Sequence, residues 1–109
     1  MKQVEALKAI SALSQETRLD IIRYLVQCGE AGAAAGEIGK AVEVTSSRMS
    51  FHLSKLENAG LVSSERQSRH IVYKADFACL GGLISFLLND CCDNHPDIAS
   101  CCLPGKNCC

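Results

Sequence analysis

The sequence lacks the long apolar run that a membrane-spanning helix requires. Its first thirteen residues mix charged and apolar side chains and contain no apolar segment typical of a secretory leader. From these two absences we expect a cytoplasmic protein with no membrane partner. In that compartment, eight cysteines predict metal-binding or redox-active thiols rather than structural disulfides.

The sequence also lacks the patterns on which catalysis depends. It contains no paired carboxylates, no nucleophile beside a base and no phosphate-binding loop. His52 lies next to Leu53 on a predicted packed helix and is expected to be structural. We therefore expect that the protein is not an enzyme. A soft-metal carrier is a further class, which the DNA-reading pattern described below argues against.

Charge of one sign does not dominate, but it is unevenly distributed. The net charge of the 109-residue chain is −1, whereas residues 45–74 carry +3 and residues 75–109 carry −3. A basic segment in a neutral chain favours an anionic partner such as nucleic acid. The alternative is an ordinary solvated face, and charge alone does not distinguish the two.

Helical periodicity predicts five helices, the last of which follows a β-hairpin. Ser14, Thr45 and Asp76 are predicted N-caps, and Pro96 is predicted to end any helix. The predicted apolar stripes are Val4, Leu7, Ile10 and Leu13; Leu19, Ile22, Leu25 and Val26; Ile38 and Val42; Met49, Leu53 and Leu56; and Phe77, Leu80, Leu83, Ile84, Leu87 and Leu88. The last three of these sets are predicted to face inward, and a single short chain cannot fully bury the first and last stripes.

Two strands over 61–66 and 69–74, joined through Gln67-Ser68, complete the pattern. A short helix, a tight turn, a longer helix and a basic hairpin predict a winged helix-turn-helix, mainly α with one β-hairpin. So short a chain buries a limited share of its surface, which favours a dimer. We expect residues 1–88 to form the DNA-binding and dimerisation domain and residues 89–109 to form a cysteine-rich tail.

The second helix of such a unit enters the major groove of DNA. Hydroxyls bond to phosphates or base edges, arginine grips guanine, and an aromatic ring meets the thymine methyl group. The alternative for each residue is a plain capped helix start or a surface charge. The predicted DNA-binding residues are Ser46, Ser47, Arg48, Ser50, Phe51 and Lys55 on the helix and Arg66 and Arg69, with His70, near the hairpin tip.

Three segments carry a family resemblance that covers about residues 5–88 in order. Residues 45–62, with Ser50-Phe51-His52-Leu53 leading into Ala59-Gly60-Leu61-Val62, resemble the recognition helix of the ArsR/SmtB family of repressors. Residues 12–19 and 69–73 resemble that family's "ALSxxTRL" segment and wing. The resemblance implies a homodimer, held by its first and last helices, that represses transcription from double-stranded operator DNA until a metal or metalloid binds.

Two sensing sites common in that family are missing from this chain. Its Cys-Val-Cys motif would fall at Ala34-Ala35-Gly36, which offers no ligand. Its zinc site on the last helix needs Asp and His, and residues 77–88 contain neither. The ligands must therefore be sought elsewhere.

Six of the eight cysteines occur in the last nineteen residues, as three adjacent pairs. Neighbouring cysteines are poorly placed to bridge each other but can offer thiolates to one soft ion. Three thiolates suit trivalent arsenic or antimony, and the pattern resembles family members with a Cys-Cys pair after the last helix and a third cysteine further on. The predicted ligands are Cys91 and Cys92 with either Cys101 or Cys102, of which Cys102 is favoured.

The remaining cysteines are assigned other roles. Cys108 and Cys109 are predicted to be accessory thiols, and Cys28 and Cys79 to be small buried hydrophobes. The sequence thus predicts an arsenic-responsive repressor released by arsenite or methylarsenite, with antimonite as a further effector. The alternative is a winged-helix repressor whose tail senses thiol oxidation or another soft metal.

Overall fold

The computed structural model describes residues 1–101, and their side chains as far as Ser100. Within that range no helix has the length and apolar character needed to cross a membrane. The elements are α1 Gln3–Leu13, α2 Glu16–Cys28, a 3-10 turn Gly29–Ala31, β1 Ala33–Ala34, α3 Ala35–Val42, α4 Ser46–Asn58, β2 Val62–Gln67, β3 His70–Ala75, α5 Phe77–Ser85, a π-helical segment Phe86–Cys91 and α6 Pro96–Cys101. The mainly α winged fold is as predicted.

The strands form one antiparallel sheet in the order β1-β3-β2. Gln67 pairs with His70, so Ser68-Arg69 forms the turn and the predicted turn at Gln67-Ser68 was one residue too early. Ser68 adopts the left-handed φ of 58° that closes this turn. The short strand β1 was not predicted. It joins the sheet after Gly32, where a Cβ would lie 2.5 Å from the Tyr73 carbonyl oxygen.

The core lies between α2, α3 and α4. The predicted inner face of α4 is confirmed, because Met49, Leu53 and Leu56 are all at most 1% exposed. On α2 the prediction was partly wrong: Ile21 packs inward, while Leu19 and Val26 are 47% and 43% exposed. The buried face of α2 is the one that meets α3 and α4, and the apolar residues beside it lie outside this contact.

Helix α1 packs by its small residues rather than by its large ones. Ala6, Ala9 and Ala12 are buried, because an alanine face lets the helix approach α2 and α4 closely. Val4, Leu7 and Ile10 of the predicted apolar stripe are 74%, 56% and 40% exposed. The helix lies where it was predicted, and the alanine face by which it meets the core was not predicted.

Large apolar residues of α5 are exposed as well. Leu83 is buried and Leu80 half-buried, as predicted, but Phe77 and Ile84, and Leu87 in the π-helical segment that follows, are 46%, 57% and 38% exposed. Two apolar faces thus remain uncovered by the described part of the chain: Val4-Leu7-Ile10 on α1, and Phe77-Ile84-Leu87 on α5 and its π-helical continuation. We refer to them below as the α1 and α5 faces.

The helix ends agree with the predictions in part. Asp76 caps α5, since its Oδ1 accepts the Cys79 N–H at 2.9 Å, and Thr45 precedes α4 as predicted. The cap of α2 is Gln15 rather than Ser14, because the Gln15 side chain accepts the Arg18 N–H. Pro96 begins α6 instead of ending a helix, since the first turn has no use for the N–H that proline lacks.

Candidate nucleic-acid interface and cysteine segment

A close contact between α3 and the turn before α4 orients the predicted recognition helix. Glu43 ends α3 in the left-handed region, and the Val44 N–H donates to the Gly39 carbonyl at 2.9 Å. A Cβ on the buried Gly39 would lie only 3.0 Å from the Val44 carbonyl oxygen. The turn is therefore tight, and it directs the N-terminus of α4 outward from the core.

All eight predicted DNA-binding residues are exposed. Six lie on α4 opposite the buried Met49, Leu53 and Leu56, and two lie on the wing. The Ser50 hydroxyl donates to the Ser46 carbonyl at 3.3 Å, which is a bond within the helix that a DNA group can replace. The six helix residues occupy the exposed positions of α4 around its buried face, and Arg48, Phe51 and Lys55 form one stripe among them.

The exposed ring of Phe51 carries two cations above it. Arg18 Cζ lies 5.6 Å and Lys55 Nζ 5.4 Å from the ring centroid, which is cation–π distance. Phe51 is 55% exposed, so this cluster lies at the surface of α4. Arg18, which comes from the first turn of α2, is a contributor that the site prediction missed. No local pattern signals it, because α2 and α4 meet only in the folded chain.

Arg18 also contacts His52, the one buried polar side chain among the described residues, which is 5% exposed. Arg18 Nε donates to His52 Nδ1 at 3.2 Å, and Arg18 Nη1 donates to the Ala12 carbonyl at 3.5 Å. Burial lowers the pKa of His52, and the positive charges of Arg18 and Arg48 lower it further. A neutral imidazole that accepts at Nδ1 fits this position, which agrees with the predicted structural role.

The wing presents positive charge near its tip. Arg66 lies opposite Ile71 on the hairpin, Arg69 lies in the turn, and all three residues are exposed. Lys74, nearer the base, forms an ion pair with Glu65 at 3.3 Å and so contributes little net charge. Arg66 and Arg69 therefore supply the positive charge of the wing tip.

The first two predicted thiol ligands follow α5 directly. From Phe86 the helix widens to π geometry, and the Cys92 N–H donates to the Leu87 carbonyl at 3.0 Å, five residues back. Because of this wider turn, Cys91 does not stand at α-helical spacing from Leu87 and Leu88. Cys91 is exposed and Cys92 is half-buried.

The predicted third ligand lies outside the side chains that the structure describes. The side chain of Cys101, with Cys102, Cys108 and Cys109, falls outside the described part of the chain. Among the side chains that are described, no group of three potential metal ligands occurs. The exposed His95 lies near the thiols, where its Nδ1 accepts the Asp97 N–H at 3.2 Å.

Cys28 and Cys79 are half-buried and pack against the core, close to the predicted role of small hydrophobes. Burial raises the pKa of the Cys79 thiol, and the carboxylates of Asp76 and Glu5 raise it further. A thiol held protonated in this way is a poor metal ligand. Cys79 is thus unsuited to the thiolate chemistry predicted for the tail.

Comparison with known proteins agrees with this architecture. Residues 13–65 match the family model described as "Helix-turn-helix domain". The HTH-type transcriptional regulator YgaV of Escherichia coli (strain K12) is 30% identical, over 81% of this chain and 87% of that protein.

Solved structures show the same similarity. An ArsR-like transcriptional regulator from Rhodococcus sp. RHA1 is 29% identical and covers 88% of both chains with a TM-score of 0.73. A homodimeric winged helix-turn-helix DNA-binding domain, Mb0332 from Mycobacterium bovis, is 24% identical and covers 84% of this chain and 85% of that one, with a TM-score of 0.64. At 24% identity, the similarity to Mb0332 shows a shared fold.

Proposed function

This chain belongs to the winged helix-turn-helix transcriptional regulators of the ArsR type, and on that premise we propose that it is an arsenic-responsive repressor. It is a DNA-binding regulator and not an enzyme. In the proposal it binds operator DNA as a homodimer in the cytoplasm. Arsenite or methylarsenite, and also antimonite, releases it by binding C-terminal thiolates. The observation that carries this is a Cys-Cys pair, with Cys91 exposed and Cys92 half-buried, at the end of the π-helical segment that continues α5.

The proposed DNA contacts divide by chemistry. Arg48 and Phe51, with the serines around them, are placed to meet base edges in the major groove. Lys55, Arg66 and Arg69 are placed to meet phosphates, which fix the register of the protein on the duplex. The exposure of all these side chains on one helix face and the adjoining wing supports this assignment.

The homodimer is proposed from the two uncovered faces. Val4, Leu7 and Ile10 on α1 and Phe77 and Ile84 on α5 leave large apolar side chains in water, each at least 40% exposed. Apolar area of this kind is stabilised by burial against a second copy. A dimer would also place two recognition helices on successive half-sites of an operator. The homodimeric M. bovis domain of the same fold supports this arrangement.

The proposed effector site consists of Cys91, Cys92 and either Cys102 or Cys101. Soft thiolates prefer soft centres, and trivalent arsenic is satisfied by three of them. In this division, residues 1–88 bind DNA and dimerise, and residues 89–109 bind the metalloid. Cys91 and Cys92 lie within and directly after the π-helical segment that continues α5.

This position suggests how binding would reach the DNA. A ligand that draws Cys91 and Cys92 toward a third thiolate must alter the turn that continues the α5 face. The effector has to bind the released form more tightly than the operator-bound form. A coupling of about 1–3 kcal/mol corresponds to a roughly 5–150-fold change in operator affinity.

A thiol redox sensor is the second candidate, and the exposure of Cys91 favours it. Two chains in a dimer bring at least two such pairs into one molecule, and oxidation to disulfides would then replace ligand binding. The two candidates share the DNA-binding half of the proposal. They differ in what reacts with the tail.

The test is operator binding measured by fluorescence anisotropy during parallel titrations with arsenite, antimonite, zinc, cadmium and peroxide. We expect arsenite and antimonite to release the reduced protein, while zinc and peroxide leave it bound. Cys28→Ser and Cys79→Ser serve as matched controls and should respond as the parent does. Release by peroxide alone would show that the protein is the redox sensor of the second candidate and not an arsenic-responsive repressor. Intact operator binding with no response to any of these agents would refute sensing while leaving the DNA-binding assignment unaffected.

A further inference from the structure

A basic cleft of about 440 Å³ lies where α1, α2 and the end of α4 meet. Lys8 of α1, Arg18 of α2 and Lys55 of α4 line it, together with the polar side chains of Ser11 and Asn58. None of its lining residues is acidic. In the described part of the chain, no carboxylate forms a salt bridge with any of the three cations. Three like charges thus line one cleft, and the carboxylates of Glu5 and Asp76 line only the adjoining cleft on the other side of Lys8.

The Arg18 side chain is already ordered in this cleft. Its Nε and Nη1 are fixed by His52 Nδ1 and the Ala12 carbonyl, and its guanidinium lies over the Phe51 ring. A guanidinium has five N–H donors, so further donors remain after these two bonds. Since the group is already ordered, an anion that it binds incurs little additional loss of side-chain entropy.

The cleft is continuous with the recognition face. Arg48, Phe51 and Lys55 are three and four residues apart on α4 and so form one stripe along the helix. Lys55 belongs to both this stripe and the cleft wall, and Arg18 reaches the stripe through Phe51. If Arg48 contacts the bases of a DNA strand, the backbone of that strand would run toward the cleft.

We propose that Lys8, Arg18 and Lys55 bind a backbone phosphate of operator DNA, at the edge of the major groove that α4 enters. Lys8 is not among the DNA contacts proposed above, and Arg18 was described there only through its contacts with Phe51 and His52. Phosphate oxygens are the ligand class that converging lysine and arginine donors suit, and arginine supplies paired donors. The inference rests on the proposed operator binding and deepens it by adding α1 and α2 to the DNA contacts.

The experiment measures operator affinity against salt concentration for the full-length parent, Lys8→Gln and the matched control Lys2→Gln. Lys2 and Lys8 are both exposed lysines of the α1 region, but only Lys8 lines the cleft. Each phosphate contact contributes about −0.9 to the slope of log affinity against log salt. The homodimer would lose one such contact in each protomer, so raising salt from about 50 to 200 mM should weaken Lys8→Gln roughly twelvefold less than the parent. Lys2→Gln should keep the parent's slope.

The outcomes separate this inference from the proposed function. If the parent binds its operator and Lys8→Gln has the same slope as Lys2→Gln, the phosphate site is wrong and the repressor assignment stands. If the parent shows no preference for an operator, the proposed function fails first. Titration with inorganic phosphate at constant ionic strength tests whether the cleft binds free anions instead of DNA. If phosphate displaces DNA from the parent but not from Lys8→Gln, and the two proteins have the same salt slope, the inference is overturned.

Discussion

At the scale of single residues, Arg18 connects the core of the domain to its DNA-facing surface. Its guanidinium bonds to buried His52 and lies over exposed Phe51, two consecutive residues of α4. The recognition helix is thus fixed against α2 by a polar contact as well as by apolar packing. This contact depends on a neutral His52, because a protonated imidazole cannot accept a hydrogen bond at Nδ1.

The lowered pKa of His52 predicts a pH-dependent stability. Since the unfolded chain holds the ordinary histidine pKa of about 6.5, it takes up the proton before the folded chain does. The free energy of unfolding should therefore be fully maintained above about pH 6.5 and decline as the pH falls from there toward the lower pKa of the folded state.

Denaturant unfolding at several pH values between 7 and 5.5 checks this with His52→Gln, whose amide oxygen still accepts from Arg18. The variant should lose about 1 kcal/mol of stability at pH 7 and show a flatter decline on acidification. His70→Gln, which removes an exposed imidazole from the wing, should decline as the parent does. Equal slopes for the parent and His52→Gln would show that His52 does not titrate as described.

At the scale of elements, the sequence predicted the helices better than the faces by which they pack. The inner face of α4 was correct because Met49, Leu53 and Leu56 are its apolar stripe opposite polar residues. Helix α1 has two candidate faces, one of alanines and one of larger apolar residues, and periodicity alone does not rank them. The larger residues were predicted as the apolar stripe of the helix, and the alanine face that allows close approach to α2 and α4 was not predicted.

Other features of the structure could not be predicted from the sequence. A two-residue strand such as Ala33–Ala34 is too short to show the period of a β-strand, and it exists only because β3 lies beside it. The π-helical turn at Phe86–Cys91 shifts every later side chain and leaves no mark on composition. The α4 part of the candidate DNA face could be predicted from the sequence because its residues lie on one helix. The contribution of Arg18 could not be predicted, because Arg18 lies on α2 and contacts α4 only in the folded chain.

The uncovered α1 and α5 faces predict how the dimer can be broken. Leu7→Glu places a charge in the proposed interface, and we expect a folded monomer by sedimentation at micromolar concentration. Because the second half-site is then lost, operator affinity should fall roughly 100-fold or more.

Val26→Glu is the matched control, since Val26 is a comparably exposed apolar residue of α2 outside both faces. It should remain dimeric and bind as the parent does. Circular dichroism establishes that both variants are folded. A dimer that persists in Leu7→Glu with unchanged affinity would move the interface elsewhere.

At the scale of the whole molecule, the residues proposed to bind DNA and those proposed to bind the effector lie in different parts of the chain. Positive charge gathers on residues 45–74, which form α4 and the wing, while the segment after residue 75 is acidic and carries the thiols. Helix α5 joins the two regions and presents one of the uncovered faces. An effector at the thiols would therefore act through the dimer geometry and leave the recognition surface itself unchanged.

The most direct test of this account is arsenite-induced release of the operator-bound parent, compared with the Cys91→Ser, Cys92→Ser double variant. A serine hydroxyl is too hard and too weakly acidic to replace a thiolate at arsenic. We predict that the double variant binds the operator as tightly as the parent and stays bound at arsenite concentrations that release the parent fully. Complete release of the double variant by the same arsenite would contradict the account.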